Sequence, residues 1–149
     1  MSTDSKPEPE LEIDLEKLSV GTELPQRQHS ATNVSLFMYN AAVWNAHRIH
    51  YDETYTTAVE GHPAIVIDGP LQGDWLSQVA LNWAGAQGSV VSFGYSNRKA
   101  SYLGEVLTSG GVISAIDLEK RWVELTLFIK NEAAEVVTPG SATVSFGEN

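Results

Sequence analysis

Residues 43–52, VWNAHRIHYD, hold two histidines, an arginine, an asparagine and an aspartate within ten positions. Histidine is the side chain that changes charge near neutral pH, so His47 and His50 are the natural candidates for proton transfer. His47, His50 and Asp52 also have the donor types of a metal site. No further ligand-spaced cluster supports that reading, and with no cysteine in the chain the thiolate zinc sites, disulfides and thiol nucleophiles are excluded. Arg48 reads either as a salt-bridge partner for Asp52 or as a contact to a ligand.

The segments around this stretch must position it. NVSLFMYNAAVWNA sets Val34, Phe37, Met38, Ala41 and Ala42 at helical spacing behind the N-cap candidates Thr32 and Asn33. The histidines therefore fall at or just past a helix end. ETYTTAVEGHPA predicts a short surface helix stopped by Gly61 and Pro63. AIVIDGPLQGDWLSQVALNWAG starts as a short apolar strand, turns at Asp68-Gly69-Pro70, and continues as a helix to about Ala84, closed by Gly85. Its apolar stripe of Leu71, Trp75, Leu76, Val79, Ala80 and Trp83 is wide enough to require burial, and Trp75 and Trp83 fit core or subunit contacts. From Ser89 onward, SVVSFGYSNR, EVLTSGGVISAID, RWVELTLFIKN and EVVTPGSATVSF are strand signals, joined by loops of hairpin length at DLEK and NEAAE. A buried helix followed by an antiparallel meander is an α+β pattern in which the sheet curls around the helix.

At 149 residues and 42% hydrophobic the chain fits one domain. The acidic opening, with Pro7 and Pro9 among six carboxylates between Asp4 and Glu16, reads as a mobile or loosely docked tail over residues 1–16, leaving 17–149 as the domain. A net charge of −10 with nine Lys and Arg argues against nucleic acid as partner. No basic-then-apolar leader and no run of membrane-spanning length is visible, so a cytoplasmic protein without a membrane partner is the expectation.

Taken in order, NAHRIHYD, the apolar strand running into DGPL, the long helix and a meander opening FGYSNRKASYLGE resemble the MaoC-like hot dog acyl-thioester dehydratases and (R)-specific enoyl-CoA hydratases over residues 18–146. The resemblance extends to the mesaconyl-CoA hydratase-like branch, which writes FNAHRIHYD and then HGPL. It implies a hot dog fold and a catalytic pair at Asn45 and His50, five positions apart, adding or removing water across the α,β double bond of an acyl thioester. The same resemblance implies a thioester oxygen received by the Gly69 N–H at the helix start, where unpaired N–H groups favour an anion. It implies no cofactor beyond the coenzyme A or acyl carrier thioester of the substrate. It also implies a partner, since such chains pair as homodimers or as heteromers with a second hot dog subunit. Two departures stand out: Asn45 replaces the family's usual aspartate, and Asp68 replaces the branch's histidine, placing a carboxylate beside the oxyanion site unless it points away or is neutralised.

Arg98 and Lys99 fit contacts to coenzyme A phosphates or a solvated loop, and His47 fits packing or a surface hydrogen bond. His29 and His62 carry no functional signal. Two further readings stay open: a non-catalytic pocket-forming subunit of a heteromeric dehydratase, and a hot dog thioesterase using Asp74 and Gln78.

Overall fold

The structure, a computed structural model with side chains, describes residues 13–147. The expected tail lies outside the described residues up to residue 12; Leu15, in a 3-10 turn over Leu15–Lys17 capped by Asp14, is already part of the core.

Three helices and five strands follow: β1 (Arg27–Ser30), α1 (Asn33–Ala42), α2 (Glu53–Ala58), α3 (Gly69–Ala84), β2 (Ser89–Tyr95), β3 (Val106–Asp117), β4 (Trp122–Lys130) and β5 (Val136–Ser145). The strands form one antiparallel sheet in the order β1-β3-β4-β5-β2, with β3, β4 and β5 the predicted meander. Register shifts at Val90/Ser92, Ile113/Ala115 and Ile129/Lys130 insert bulges, which bend the strands and increase their twist. The sheet thereby curls around α3. Along β4 the alternation holds: Val123, Leu125, Leu127 and Ile129 are buried against Leu76, Val79 and Ala80 of α3, and each fully buried aliphatic side chain contributes roughly 1.5–3 kcal/mol.

Helix α3 starts and ends where the sequence places it, with Pro70 in its first turn and Gly85 after its last residue at φ 59°. Its inward stripe is rotated from the expected one. Gln72, Gly73, Leu76, Val79, Ala80 and Ala84 are buried, whereas Leu71, Trp75 and Trp83 flank the core as partly buried contacts. Gln72 tolerates this because its side-chain oxygen accepts a hydrogen bond from Thr138 Oγ1 at 2.6 Å. Gly73 is required where Tyr95 of β2 crosses the helix: a Cβ there would lie 2.3 Å from Tyr95 Cζ.

One expectation is corrected. The apolar run at residues 64–67 forms no strand, only an isolated bridge between Val66 and Tyr102, because its backbone is shared among Ile49, Ser101 and Leu103. Strand β1 had no sequence signal, being the polar stretch RQHS at a sheet edge. Helix α1 has the predicted capping by Thr32, reciprocated by Ser35, but it rests on Leu36 and Asn40, so Val34, Phe37 and Met38 face outward.

Candidate active site

Helix α1 ends in a Schellman closure: the Asn45 N–H donates to the Asn40 carbonyl at 2.9 Å, which requires Trp44 at φ 57° in the position that glycine ordinarily fills. The reversal carries Asn45 back under the helix and leaves the Trp44 indole 94% exposed. The chain then forms a 3-10 turn over Arg48–His50, and the Val66 N–H donates to the Ile49 carbonyl at 3.0 Å, pinning the turn to the run that leads into α3.

His50 is held at 8% exposure. Its Nδ1 lies 2.8 Å from the Val66 carbonyl, which can only accept, so Nδ1 carries a proton and Nε2 is the nitrogen left for chemistry. Nε2 faces Asp68 Oδ1 at 3.6 Å. Asp68 is fully buried and, although it is the N-cap residue of α3, its side chain makes no cap bond. Its Oδ2 accepts from Asn40 Nδ2 at 3.0 Å and its Oδ1 from Asn45 Nδ2 at 3.2 Å. The carboxylate that the sequence sets beside the helix start is thus turned to two amides and an imidazole. Asn45 is engaged at both ends, since its Oδ1 also accepts from the His47 N–H at 3.1 Å.

His50, Gly69, Arg98 and Lys99 line one cavity of 300 Å³ at the N-terminus of α3, together with Gln72, Asn97 and the backbone around Val66. Asn97 lies over Gly69, where an added Cβ would meet its Oδ1 at 2.3 Å, and Asn97 Nδ2 donates to Thr138 Oγ1 at 3.2 Å. Lys99 is ion-paired with Glu135, and Arg98 Nε donates to Ser96 Oγ at 2.7 Å. The cavity therefore combines an imidazole, a helix start without a side-chain cap and two cations at its rim.

Asn45 is not in that cavity. It lines a second, apolar one of 190 Å³ with Phe37, Asn40, Ala41, Trp44, Ala46 and Tyr51, and Asp68 links the two, its Oδ1 approached by both Asn45 Nδ2 and His50 Nε2 and its Oδ2 bonded to Asn40. Larger clefts of 480 Å³ beside Ile13–Lys17 and 660 Å³ along Gln26, Gln28 and Lys130 contain no histidine.

Arg48 lines neither cavity. It pairs with Asp52 at 2.7 Å and stacks over the Tyr55 ring, and Asp52, bonded first by the Tyr55 N–H and then by Arg48, is held below the usual carboxylate range. His47 is exposed, its ring edge-on to His50 at 5.7 Å. His62 contacts Tyr102, and His29 stacks on Trp75. Asp74 accepts from the Tyr39 hydroxyl and Gln78 from Arg27, and both are exposed on α3 outside the cavity. Among the described residues no three His, Asp or Glu side chains are grouped to hold a metal ion, and no helix is long and apolar enough to cross a membrane.

The sequence reading missed Asn40, Asn97, Gln72 and the true position of Asp68. One signal was present for Asp68: it ends the buried run Ile65–Ile67, and a charge continuing such a run must find partners.

A bent antiparallel sheet wrapped on one long helix is the hot dog architecture. The chain belongs to the hydroxyacyl-thioester dehydratase type 2 family, which matches residues 5–103. It is 47% identical over 45 residues to the mesaconyl-C(4)-CoA hydratase of Chloroflexus aurantiacus, a match spanning 30% of this chain and 16% of that protein. The fold is similar to the (R)-hydratase from A. caviae involved in PHA biosynthesis, with a TM-score of 0.78 and 16% identity over 88% of this chain and 98% of that one. It is also similar to a chain of the ChsH1-ChsH2 complex from Mycobacterium tuberculosis, with a TM-score of 0.76 and 16% identity over 87% and 98% of the two chains.

Proposed function

We propose that this chain catalyses the reversible addition of water to the α,β double bond of an acyl thioester, as an enoyl-thioester hydratase or 3-hydroxyacyl-thioester dehydratase. One observation carries the reading: in a member of this family, His50, the Gly69 backbone and the cations Arg98 and Lys99 line a single cavity. His50 Nε2 moves the proton, and the Gly69 N–H receives the thioester oxygen, where the helix start stabilises developing negative charge. Arg98 and Lys99 meet the phosphates of the thioester carrier. Asn45 acts through its hydrogen bonds, since an amide neither takes up nor releases a proton at neutral pH.

The active unit on this reading contains two hot dog chains, alike or unlike. Strand β2, at one sheet edge, exposes Val91, Phe93 and Tyr95, and α1 exposes Val34, Phe37 and Met38; apolar surface of this kind beside an unpaired edge suits a partner subunit. A pocket-forming role in a heteromer is the second reading, favoured by the engagement of Asn45 at both ends.

Incubation with an enoyl-CoA, alone and with the products of neighbouring genes, followed by chromatographic separation, tests both. A 3-hydroxyacyl-CoA product from this chain alone supports the enzyme; a product only with a partner, unaffected by His50→Ala, supports the pocket-forming subunit. Free coenzyme A would reveal a thioesterase and refute both. Sedimentation at micromolar concentration gives the assembly, and a monomer that turns over substrate would refute the paired unit.

A further inference from the structure

We propose that Asp68 is the charge partner of His50, a positioning residue whose carboxylate stabilises and holds in place the imidazolium formed when Nε2 takes up the substrate's proton. The proposal rests on the hydratase reading above and assigns to the His50–Asp68 pair the work that Asn45 has no charge to do.

Three observations converge. First, the Nδ1–H is committed to the Val66 carbonyl, so any proton exchanged with substrate passes through Nε2, the nitrogen that faces Asp68 Oδ1 at 3.6 Å. Second, Asp68 is the sole buried Asp or Glu among the described residues, and burying an ionised carboxylate is costly unless it is both hydrogen-bonded and paired. Asn40 and Asn45 supply the hydrogen bonds but no charge. Among the described residues, His50 is its one partner able to become a cation within ion-pair distance. Third, the Asp68 side chain is turned to this cluster rather than to the helix: it makes no cap bond on α3, and the strained Trp44 reversal aims Asn45 at it. Other ionisable groups facing His50 are His47, edge-on at 5.7 Å, and Arg98 and Lys99 across the cavity. None of these is an acid.

The reaction balances with one proton carrier. In dehydration Nε2 takes the α-carbon proton, the C–H electron pair becomes the new π bond, and the β-carbon–oxygen bond breaks with its pair leaving on oxygen. The imidazolium then returns the proton to that oxygen as water, and His50 ends neutral. Hydration is the reverse. Asp68 stays ionised throughout and transfers nothing.

The test compares Asp68→Asn, His50→Ala and the double variant Asn45→Asp/Asp68→Asn, which moves the carboxylate across an existing hydrogen bond while keeping one acid and two amides in the cluster. Turnover and KM are measured on an enoyl-CoA with the assembled protein, and the His50 imidazole is titrated by NMR. Asp68→Asn is expected to lower kcat by about a hundredfold or more with KM little changed, and to move the His50 titration midpoint to lower pH, an effect that a purely structural loss would not produce. The double variant is expected to recover at least about tenfold of the lost turnover. Wild-type kcat and an unmoved midpoint in Asp68→Asn, with His50→Ala inactive, overturn the proposal and leave the hydratase reading intact. If Asp68→Asn does not fold, the double variant decides: folded but as inactive as His50→Ala, it overturns the pair. If the unmodified assembly neither hydrates nor dehydrates any thioester, the hydratase reading fails, and an unmoved midpoint in Asp68→Asn would then remove the pairing as well.

Discussion

Gly69→Ala separates the site from the scaffold. The added Cβ would lie 2.3 Å from Asn97 Oδ1 and 2.8 Å from its Cγ, against ~3.3–3.6 Å for a close carbon–oxygen contact, so the Asn97 side chain has to swing by about an ångström. That movement breaks its bond to Thr138 and costs about 0.5–1.5 kcal/mol. Thr138 keeps its bond to Gln72, so the disturbance stops there. In return, replacing glycine by alanine at a helical position recovers roughly 0.5–1 kcal/mol of backbone entropy. The two nearly cancel, and the urea midpoint is expected to change by less than the equivalent of about 1 kcal/mol. Activity has no such compensation. Asn97 and Gly69 line the same cavity as His50, and an ångström of misplacement at a reacting centre costs about a hundredfold. The assay is the loss of conjugated enoyl-thioester absorbance in parallel with urea unfolding. Unchanged turnover in the folded variant would refute the placement of the reacting carbonyl at the start of α3.

Other outcomes follow from single features. Gly73→Ala sets a Cβ 2.3 Å from Tyr95 Cζ and 2.5 Å from Cε1, so β2 has to lift; overpacking of this kind costs about 1–3 kcal/mol, read as a lower urea midpoint. Trp44→Gly relieves a left-handed residue that is 94% exposed; thermal unfolding of the isolated chain is expected to show about 1 kcal/mol of added stability, and a loss would mean that the indole packs in solution. Burial, and then the nearby Arg27, hold the His29 imidazole below its usual range. As pH falls the unfolded chain therefore takes up this proton first: the stabilising contribution is complete above about pH 6.5 and is lost between there and the lowered folded value. His29→Gln is expected to flatten that part of the pH dependence of urea unfolding.

Much of the fold was legible because periodicity and punctuation agreed. Thr32 marked the start of α1, Pro70 and Gly85 bounded α3, and β4 alternated without a break. What was not legible depended on partners far along the chain. β1 is polar and becomes a strand only by pairing with β3. Gln72 is inward because Thr138, 66 residues later, satisfies it. The outward face of α1 has the spacing of a buried one, since periodicity identifies a helix without saying which side meets the core. At the site, His50 and Gly69 could be named from the motif, and they do line one cavity with Arg98 and Lys99. Asp68 could not be placed, because a carboxylate before a helix reads as a cap or a repulsive neighbour until Asn40, 28 residues earlier, is seen bonded to it.

The most direct measurement is the turnover of His50→Ala beside the unmodified protein, on an enoyl-CoA and in the assembled state, with unfolding curves for both. The unmodified protein is expected to form the 3-hydroxyacyl thioester, and His50→Ala to lose at least about a hundredfold in kcat while keeping its unfolding midpoint. A folded His50→Ala that hydrates at the unmodified rate would contradict the account.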